Sequence, residues 1–303
     1  MLAVTYDEYG DPSVLKVAEV PEPHAAGGQV RIAVRAAGVN PIDWKVRSGA
    51  MRDMMPVTFP MVPGGEAAGV VDEVGDGVDG VAVGDEVFGL GSATSAQFAV
   101  LDHVAHKPAE VSWEQAAGMA TAAETARRAL DLLDLSPGKT LLIDGAAGGV
   151  GTAATQLAVA EGVQVVGTAG GRNQDYLRSL GAVATTYGPG LADRVAELAP
   201  GGVDRALDVA GQGSLAELVA LTGSPDSVLT IADFSAAQHG VRVTTEMSAF
   251  AGLEQAARLA HEGRYVVAVD SGYPFAGAAE AHARSEAGHV TGKIVLTAPA
   301  EQG

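Results

Sequence analysis

Hydrophobic and polar positions alternate over short stretches in the first hundred residues, and turns separate these stretches. Val30–Ala36 has strand-like alternation and ends shortly before Gly38, and Gly69–Val74 is a second such stretch. Asp-Gly and Gly-Asp dipeptides stand between valines in residues 75–89, a pattern typical of tight turns. No long helical period occurs here, so the pattern predicts a mostly β module over residues 1–112.

The periodicity changes at Ser112, where a serine followed by Gln115 forms a capping-box pattern. Helical and strand-like stretches then alternate. The predicted helices are 113–133, 149–161, 173–180, 190–199, 213–222 and 250–262. The predicted strands are 140–144, 163–168, 183–187, 203–209 and 228–232. Because strands separated by helices of this length pair in parallel, the fold class is α/β with a doubly wound sheet.

Short strands return after this region. The pattern predicts strands at 265–269 and 293–297 around a helix at 275–287. We therefore expect three segments: a β module at 1–112, a nucleotide-binding domain at 113–263, and a tail at 264–303 that rejoins the first module.

A glycine-rich loop lies between a predicted buried strand and a predicted helix, with the sequence Gly145-Ala-Ala-Gly148-Gly149-Val150-Gly151. Glycines let the backbone turn tightly and approach a pyrophosphate, while the helix N-terminus offers free N–H groups. The alternative is a strand-to-helix turn that binds nothing. Its place in the α/β pattern favours a dinucleotide site.

The end of the second strand bears on the choice of dinucleotide. NAD enzymes carry an acidic residue there for the ribose hydroxyls, but residues 166–174 contain no acid and include Arg172. A carboxylate would repel a 2′-phosphate, whereas arginine binds it in a bidentate manner. The segment therefore predicts NADP(H), with a solvated loop arginine as the alternative for Arg172.

Four further strings occur in a fixed order around the glycine loop. They are residues 38–49 (GVNPIDWKVRSG), 63–69 (PGGEAAG), 83–87 (VGDEV), and Ala281-His282 followed by 288–296 (GHVTGKIVL). With that loop, they resemble the medium-chain dehydrogenase/reductase superfamily, and its zinc-independent quinone oxidoreductase and enone (2-alkenal) reductase branch. The resemblance implies a GroES-like β module, built from the N-terminal part and the tail, with a Rossmann domain between them.

The residues that would bind zinc are absent. Zinc-dependent members of the superfamily have cysteine at the position of Asn40 and histidine at that of Gly65, and this chain contains no cysteine. A catalytic zinc site needs three protein ligands. We therefore expect no metal.

Without a metal, hydrogen-bond donors must polarise a substrate carbonyl. The predicted catalytic residues are Asn40, whose amide can bond the nicotinamide ribose or a substrate oxygen, and Lys45, whose ammonium can stabilise a developing enolate. A solvated side chain is the alternative for Lys45. Asp43 is expected to hold the loop through backbone N–H groups. The tyrosines that quinone reductases carry near Lys45 and Met51 are missing here, which favours enones over quinones.

The resemblance and the strand ends together define a set of expected NADP(H) contacts. They are Asn40, Pro41, Thr125, Gly145, Ala147, Gly148, Gly149, Val150, Thr168, Arg172, Tyr187, Asp208, Ala210, Ile231 and Ala232. Thr125 corresponds to a threonine beside the nicotinamide ribose. Tyr187 corresponds to a tyrosine near the adenosine phosphate, with core packing as the alternative.

These features together predict an oxidoreductase that transfers hydride from NADPH to a quinone or to the double bond of an α,β-unsaturated carbonyl compound. One alternative is a trans-acting enoyl-thioester reductase. The other is a non-catalytic NADPH-binding sensor or structural protein.

Charge and composition limit the kinds of partner that this protein is expected to bind. The net charge of −18 disfavours nucleic acid and anionic membranes. The N-terminus lacks the basic and apolar regions of a signal peptide, and no apolar run is long enough to span a bilayer. We expect a cytoplasmic protein with a small carbonyl or quinone substrate.

Val241–Met247 is apolar at alternate positions and contains no proline. It is predicted to be the edge strand of the parallel sheet, with backbone groups free to pair with a second chain. The family resemblance also implies a homodimer formed through this strand. The alternative is a monomer in which the loop 233–240 covers the edge.

Overall fold

The computed structural model describes residues 1–299, which divide into two compact units. The first comprises Met1–Thr121 and Leu253 onwards, and the second comprises Ala122–Gly252. Residues 113–121 and 253–263, which were expected to belong to the nucleotide-binding domain, thus lie in the first unit. Ala116 and Ala117 are buried, and the helix that carries them packs on strands of the first unit.

The N-terminal part is mostly strand. Its elements are β1 (Leu2–Thr5), β2 (Lys16–Glu19), β3 (Val30–Val39), α1 (Pro41–Arg47), β4 (Glu66–Val74), β5 (Glu86–Ser92), β6 (Phe98–His106) and α2 (Trp113–Ala117). Each of the strands β3 to β6 pairs antiparallel with the next one along the chain, and β6 also pairs with β3. The four strands therefore form a closed sheet. Alternate residues such as Val30, Ile32 and Leu101 fill the apolar core.

Strands and helices alternate in the middle of the chain. The elements are α3 (Ala120–Leu133), β7 (Thr140–Asp144), α4 (Gly149–Ala160), β8 (Gln164–Thr168), α5 (Gln174–Ser179), β9 (Val183–Thr185), α6 (Leu191–Leu198), β10 (Arg205–Asp208), α7 (Leu215–Thr222), β11 (Val228–Thr230) and β12 (Arg242–Val243). The strands lie in the order β12-β11-β10-β7-β8-β9 and all run parallel. This order reverses direction at β7, which is the doubly wound Rossmann arrangement, so the predicted parallel sheet is confirmed.

The C-terminal part returns to the first sheet. Its elements are α8 (Ala251–His261), β13 (Val269–Pro274), α9 (Ala278–Glu286) and β14 (Lys293–Thr297). Strand β14 pairs antiparallel with β3 and parallel with β13. The expected combination of a GroES-like β module and a Rossmann fold is therefore confirmed. Across residues 1–299, no helix has both the length and the apolar character needed to cross a bilayer.

Two predicted elements are wrong in detail. The helix expected over 113–133 is interrupted at Gly118, where a Cβ atom would lie 2.9 Å from the Lys293 side chain. The strand expected over 265–269 begins only at Val269. Tyr265 and Val267 are buried and imitate strand alternation, but these residues do not form a ladder with a neighbouring strand.

The edge strand expected over 241–247 is also shorter than predicted. Pairing ends where the Thr244 N–H donates to the Thr230 carbonyl at 3.2 Å. Beyond that point the Glu124 carboxylate of α3 accepts the N–H groups of Ser248 and Ala249 at 2.9 and 3.2 Å. The segment is therefore bonded to a helix and does not continue along the sheet.

Candidate active site

The glycine loop after β7 has a backbone shape that only glycine allows at two positions. Gly145 has a φ of +88°, a left-handed conformation that favours glycine. A Cβ atom on Gly151 would lie 2.4 Å from the Gly145 carbonyl oxygen, so the first turn of α4 packs directly on the loop. The loop forms the tight cradle that a pyrophosphate needs.

Helix α4 begins at this loop with its first N–H groups available. Its N-cap is Gly148, which has no side chain to accept the N–H groups of the first turn. Gly149 and Val150 follow and are partly exposed. The positive end of a twelve-residue helix therefore lies beside the loop, which is an arrangement that binds phosphate.

A buried carboxylate supports the loop from behind. The Thr168 hydroxyl donates to one oxygen of Asp144 and accepts the Gly145 N–H at 3.2 Å. The Ser214 hydroxyl donates to the other Asp144 oxygen at 2.7 Å. Asp144 thus connects the ends of β7 and β8 to the start of α7. Asp144 and Ser214 were not predicted from the sequence, although an acid ending a buried apolar strand is a signal that a partner is required.

A second buried carboxylate organises the next strand ends. One Asp208 oxygen accepts the N–H groups of Ala210 and Gly211 at 3.0 and 2.9 Å, and the other accepts the Thr230 hydroxyl at 2.7 Å. Burial raises the pKa of Asp208, and these hydrogen bonds oppose that shift.

Thr168 and Asp208 were predicted as direct cofactor contacts, but both residues are 0 % exposed. Each shapes a loop through hydrogen bonds. Ala210, Ile231 and Ala232 follow the two strands and are partly exposed, so a ligand can reach them.

Arg172 lies in a 3₁₀ turn (Gly171–Asn173) shortly after the end of β8, and it is exposed. The Gln174 amide donates to the carbonyls of Ala169 and Thr185 at 3.0 Å each, which joins the ends of β8 and β9 beneath this turn. The structure therefore places Arg172 at the same sheet edge as the glycine loop.

Tyr187 follows β9 and is 54 % exposed, so it is not a core residue. Its hydroxyl would be 3.8 Å from a Cβ atom on Gly170, which places it beside the Arg172 turn. Thr125 is buried in α3, where its hydroxyl donates to Glu124 at 3.3 Å. Ala147 is buried within the glycine loop.

The first unit contains the other predicted residues. Pro41 begins α1, and Asn40 precedes it as the N-cap. The Asn40 backbone N–H donates to the Asp43 carboxylate at 2.7 Å, so the expected structural role of Asp43 is confirmed. Burial raises the pKa of Asp43 to about 7. Lys45 lies on the same helix with its Nζ 5.8 Å from the centre of the Trp44 ring.

The Asn40 side chain is bonded at both ends. Its Nδ2 donates to Glu66 at 2.8 Å, and its Oδ1 accepts from the Lys293 ammonium, which also donates to Glu66 at 2.6 Å. Neither charged partner was predicted from the sequence. Lys293 begins an otherwise apolar strand, and a lysine in that position indicates a buried partner.

No three histidine, aspartate or glutamate side chains within residues 1–299 lie together in a group able to hold a metal ion. Cysteine is absent from the whole sequence.

Comparisons with known proteins agree with this geometry. A family model described as the alcohol dehydrogenase GroES-like domain matches residues 26–130, and one described as zinc-binding dehydrogenase matches residues 180–296. A chloroplastic quinone oxidoreductase of Triphysaria versicolor is 34 % identical over 98 % of both chains. An NADPH-dependent alkenal/one oxidoreductase of Arabidopsis thaliana is 32 % identical over 98 % of this chain and 79 % of its own. A mycobacterial protein solved with NADPH is 30 % identical, with a TM-score of 0.83 over 98 % of this chain and 100 % of its own.

Given this similarity over nearly the whole length, the chain belongs to the medium-chain dehydrogenase/reductase superfamily and to its zinc-independent branch of quinone oxidoreductases and enone reductases. It is thus a member of a family of oxidoreductases.

Proposed function

We propose that this chain is an NADPH-dependent reductase of quinones or of the double bond in α,β-unsaturated carbonyl compounds. One observation carries the proposal. At the carboxyl ends of two neighbouring parallel strands, a glycine loop leads from β7 into α4, and Arg172 follows β8. The cradle fits a dinucleotide, because a side chain at Gly151 would collide with the loop backbone.

In this proposal, Arg172 determines the preference for NADPH over NADH. No acid stands between the end of β8 and Asp175, so no carboxylate on that turn repels a 2′-phosphate beside Arg172. A guanidinium bonds a phosphate through two N–H groups. The relative described as NADPH-dependent and the neighbour solved with NADPH support the same choice.

The residues of the chain then position and polarise the substrate. Bound NADPH supplies the hydride, which goes to the β-carbon of an enone or to a quinone, and a proton completes the reduction. Asn40 retains one Nδ2 hydrogen beyond its bond to Glu66, and this N–H can donate to an oxygen of the substrate or of the nicotinamide ribose. Such a donor stabilises the negative charge that develops on a carbonyl oxygen.

Enones are the favoured substrate class. A lysine and a methionine, Lys45 and Met51, stand near the places where quinone reductases of the resembled branch carry tyrosines. Neither side chain has a phenolic hydroxyl or an aromatic ring to stack on a quinone, and Met51 is also buried.

The test is turnover of NADPH and NADH with 2-alkenals, cyclic enones, quinones and 2-enoyl thioesters. We expect NADPH oxidation with at least one of the first three groups, and faster reaction with enones than with quinones. A preference for thioesters would favour the enoyl-thioester reductase. Binding of NADPH without turnover of any substrate would contradict catalysis and favour a sensor or structural protein.

A further inference from the structure

Three buried polar side chains of the first unit form one closed cluster. The Lys293 ammonium donates to the Asn40 side-chain oxygen and to Glu66 Oε1. The Asn40 Nδ2 donates to the same Oε1, and the second Glu66 oxygen accepts the Thr121 backbone N–H at 2.8 Å. We call Asn40, Glu66 and Lys293 the amide clamp.

The chemistry of the two charged groups determines which way the Asn40 amide faces. An ammonium can only donate hydrogen bonds, and a carboxylate can only accept them. The amide oxygen must therefore face Lys293 and the amide nitrogen must face Glu66. A flipped amide would place N–H groups against the ammonium and an oxygen against the carboxylate, so the clamp allows a single orientation.

Exposure distinguishes the members of the clamp. Glu66 is 0 % exposed and Lys293 5 %, whereas Asn40 is 8 % exposed. The two charges neutralise each other inside the unit, and Asn40 is the most exposed residue of the three. Its oxygen accepts a bond from a cation, which polarises the amide and strengthens its remaining N–H as a donor.

We infer that Lys293 is a positioning residue: with Glu66, it fixes Asn40 as a hydrogen-bond donor toward an oxygen of the substrate or the nicotinamide ribose. This inference rests on the proposed function, in which Asn40 contacts that ligand. The sequence pattern favoured Lys45 for a cationic role. The clamp assigns one to Lys293, which acts through Asn40 and without touching the ligand.

The double substitution Lys293→Met with Glu66→Gln inverts the amide without leaving an unpaired buried charge. The side-chain oxygen of the introduced glutamine would still accept the Thr121 N–H. The glutamine amide nitrogen would then face Asn40, and only the Asn40 oxygen could accept its hydrogen bond. Neutral replacement of a buried ion pair is tolerated far better than removal of one partner, so we expect the variant to fold. Thermal unfolding checks this.

We expect the double variant to lose about tenfold in kcat/KM for NADPH, because the lost hydrogen bond lowers kcat if its acceptor is the substrate and NADPH affinity if its acceptor is the nicotinamide ribose. The same double substitution in an Asn40→Ala background should cause no further loss. Lys293→Arg keeps a donor-only cation and should retain most of the activity. Three results would each overturn the inference. They are full activity of the double variant, a further loss of the same size when the double substitution is added to Asn40→Ala, and an inactive Lys293→Arg variant.

A measurement without substrate separates this inference from the proposed function. In the ¹⁵N–¹H spectrum, the Asn40 side-chain pair is assigned by its absence in Asn40→Ala. One of its protons bonds the Glu66 carboxylate, so we expect that proton downfield of the usual range for asparagine side chains, and back within that range in the double variant. Ordinary shifts for both protons in the unsubstituted protein would refute the clamp orientation, even if the protein reduces enones. A confirmed clamp in a protein that turns over no substrate would refute only the proposed function.

Discussion

At the scale of single residues, carboxylates define the loops of the candidate site. Asp144 and Asp208 end adjacent parallel strands in register with each other. Asp144 accepts hydroxyl groups from the end of β8 and the start of α7, and Asp208 accepts backbone N–H groups of the loop that follows it. Buried acids are costly unless they are bonded in this way, so these contacts hold the loops in one conformation. Arg172, by contrast, is exposed on its turn.

Replacing Arg172 tests its role in cofactor choice. Arg172→Ala should weaken NADPH binding about ten- to a hundredfold, because a charge-assisted bidentate bond contributes roughly 1.5–3 kcal/mol. NADH binding should hardly change. Titration of nucleotide fluorescence measures both. Arg178→Ala is the matched control, since Arg178 is an exposed arginine of the adjacent helix that pairs with Asp175. Equal losses for both nucleotides would show that Arg172 does not contact the 2′-phosphate.

His282 predicts part of the pH dependence of stability. It is 1 % exposed on α9, and burial, with the nearby charge of Arg47, lowers its pKa from 6.5 to about 4. Between these values the unfolded chain binds a proton that the folded chain does not, so stability falls as the pH falls through this window. The contribution is about 3 kcal/mol.

Comparison with His282→Gln isolates this effect. Relative to the unsubstituted protein, the variant should lose less stability between pH 6.5 and pH 4 in urea unfolding, while exposed His239→Gln should behave like the unsubstituted protein. Parallel curves for all three proteins would contradict this origin of the pH dependence. The carboxyl groups whose pKa values are lowered in the folded state are present in all three proteins. Their contributions to the pH dependence therefore cancel when the proteins are compared.

The roles of individual residues were predictable where those residues belong to a recognisable sequence motif. The strings around Asn40 and the glycine loop are local in sequence, and the structural role of Asp43 followed from the tendency of a loop aspartate to accept nearby backbone N–H groups. Lys293 was not assigned, because its partner Glu66 is distant in sequence and meets it only when β14 pairs with β3. Lys45 was chosen because it is near Asn40 in the sequence.

At the scale of elements, the first turn of α4 packs against the glycine loop with no room for a side chain. A Cβ atom on Gly151 would lie 2.4 Å from a backbone oxygen and 2.6 Å from the Ala146 Cα. The neighbours are backbone atoms, so the loop must move to relieve the contact.

Gly151→Ala should therefore lower stability by about 1–3 kcal/mol, the usual cost of overpacking, and reduce nucleotide affinity. Urea unfolding and nucleotide titration measure the two effects. Gly201→Ala is the control, because nothing lies within 4 Å of a Cβ atom at Gly201. An unaffected Gly151→Ala variant would mean that the loop is more plastic than the structure indicates.

Element boundaries show where sequence periodicity stops being informative. The buried strands of the parallel sheet were predicted closely, because apolar runs bounded by turns are distinctive; β7 matches its predicted range. Residues 241–247 alternate like a strand, yet only two of them pair. The bonds from Glu124 to Ser248 and Ala249 are long-range side-chain contacts that periodicity does not encode.

At the scale of the whole molecule, we propose a homodimer in which β12 forms the interface. This strand is the edge of the parallel sheet, and Val243 is 45 % exposed on it. Thr244 donates its N–H inward to Thr230, and N–H groups alternate in direction along a strand, so the Val243 N–H faces the open edge.

Light scattering should give a mass about twice the 30.5 kDa of one chain. Val243→Pro removes an edge donor without breaking an internal bond and should shift the mass to that of a monomer. Val243→Ala keeps the N–H and should remain dimeric. A monomeric unsubstituted protein would end the proposal, and a dimer that survives Val243→Pro must form through another surface.

The proposed reaction can be followed by transfer of label from NADPH deuterated at C4, prepared in both stereochemical forms. We expect one form to deliver deuterium to the β-carbon of a saturated ketone or aldehyde product, as read by NMR. Deuterium at the carbonyl carbon of an allylic alcohol would contradict the proposal, because the protein would then reduce the carbonyl and not the double bond. Oxidation of NADPH with no label in any enone product would contradict hydride transfer to enones.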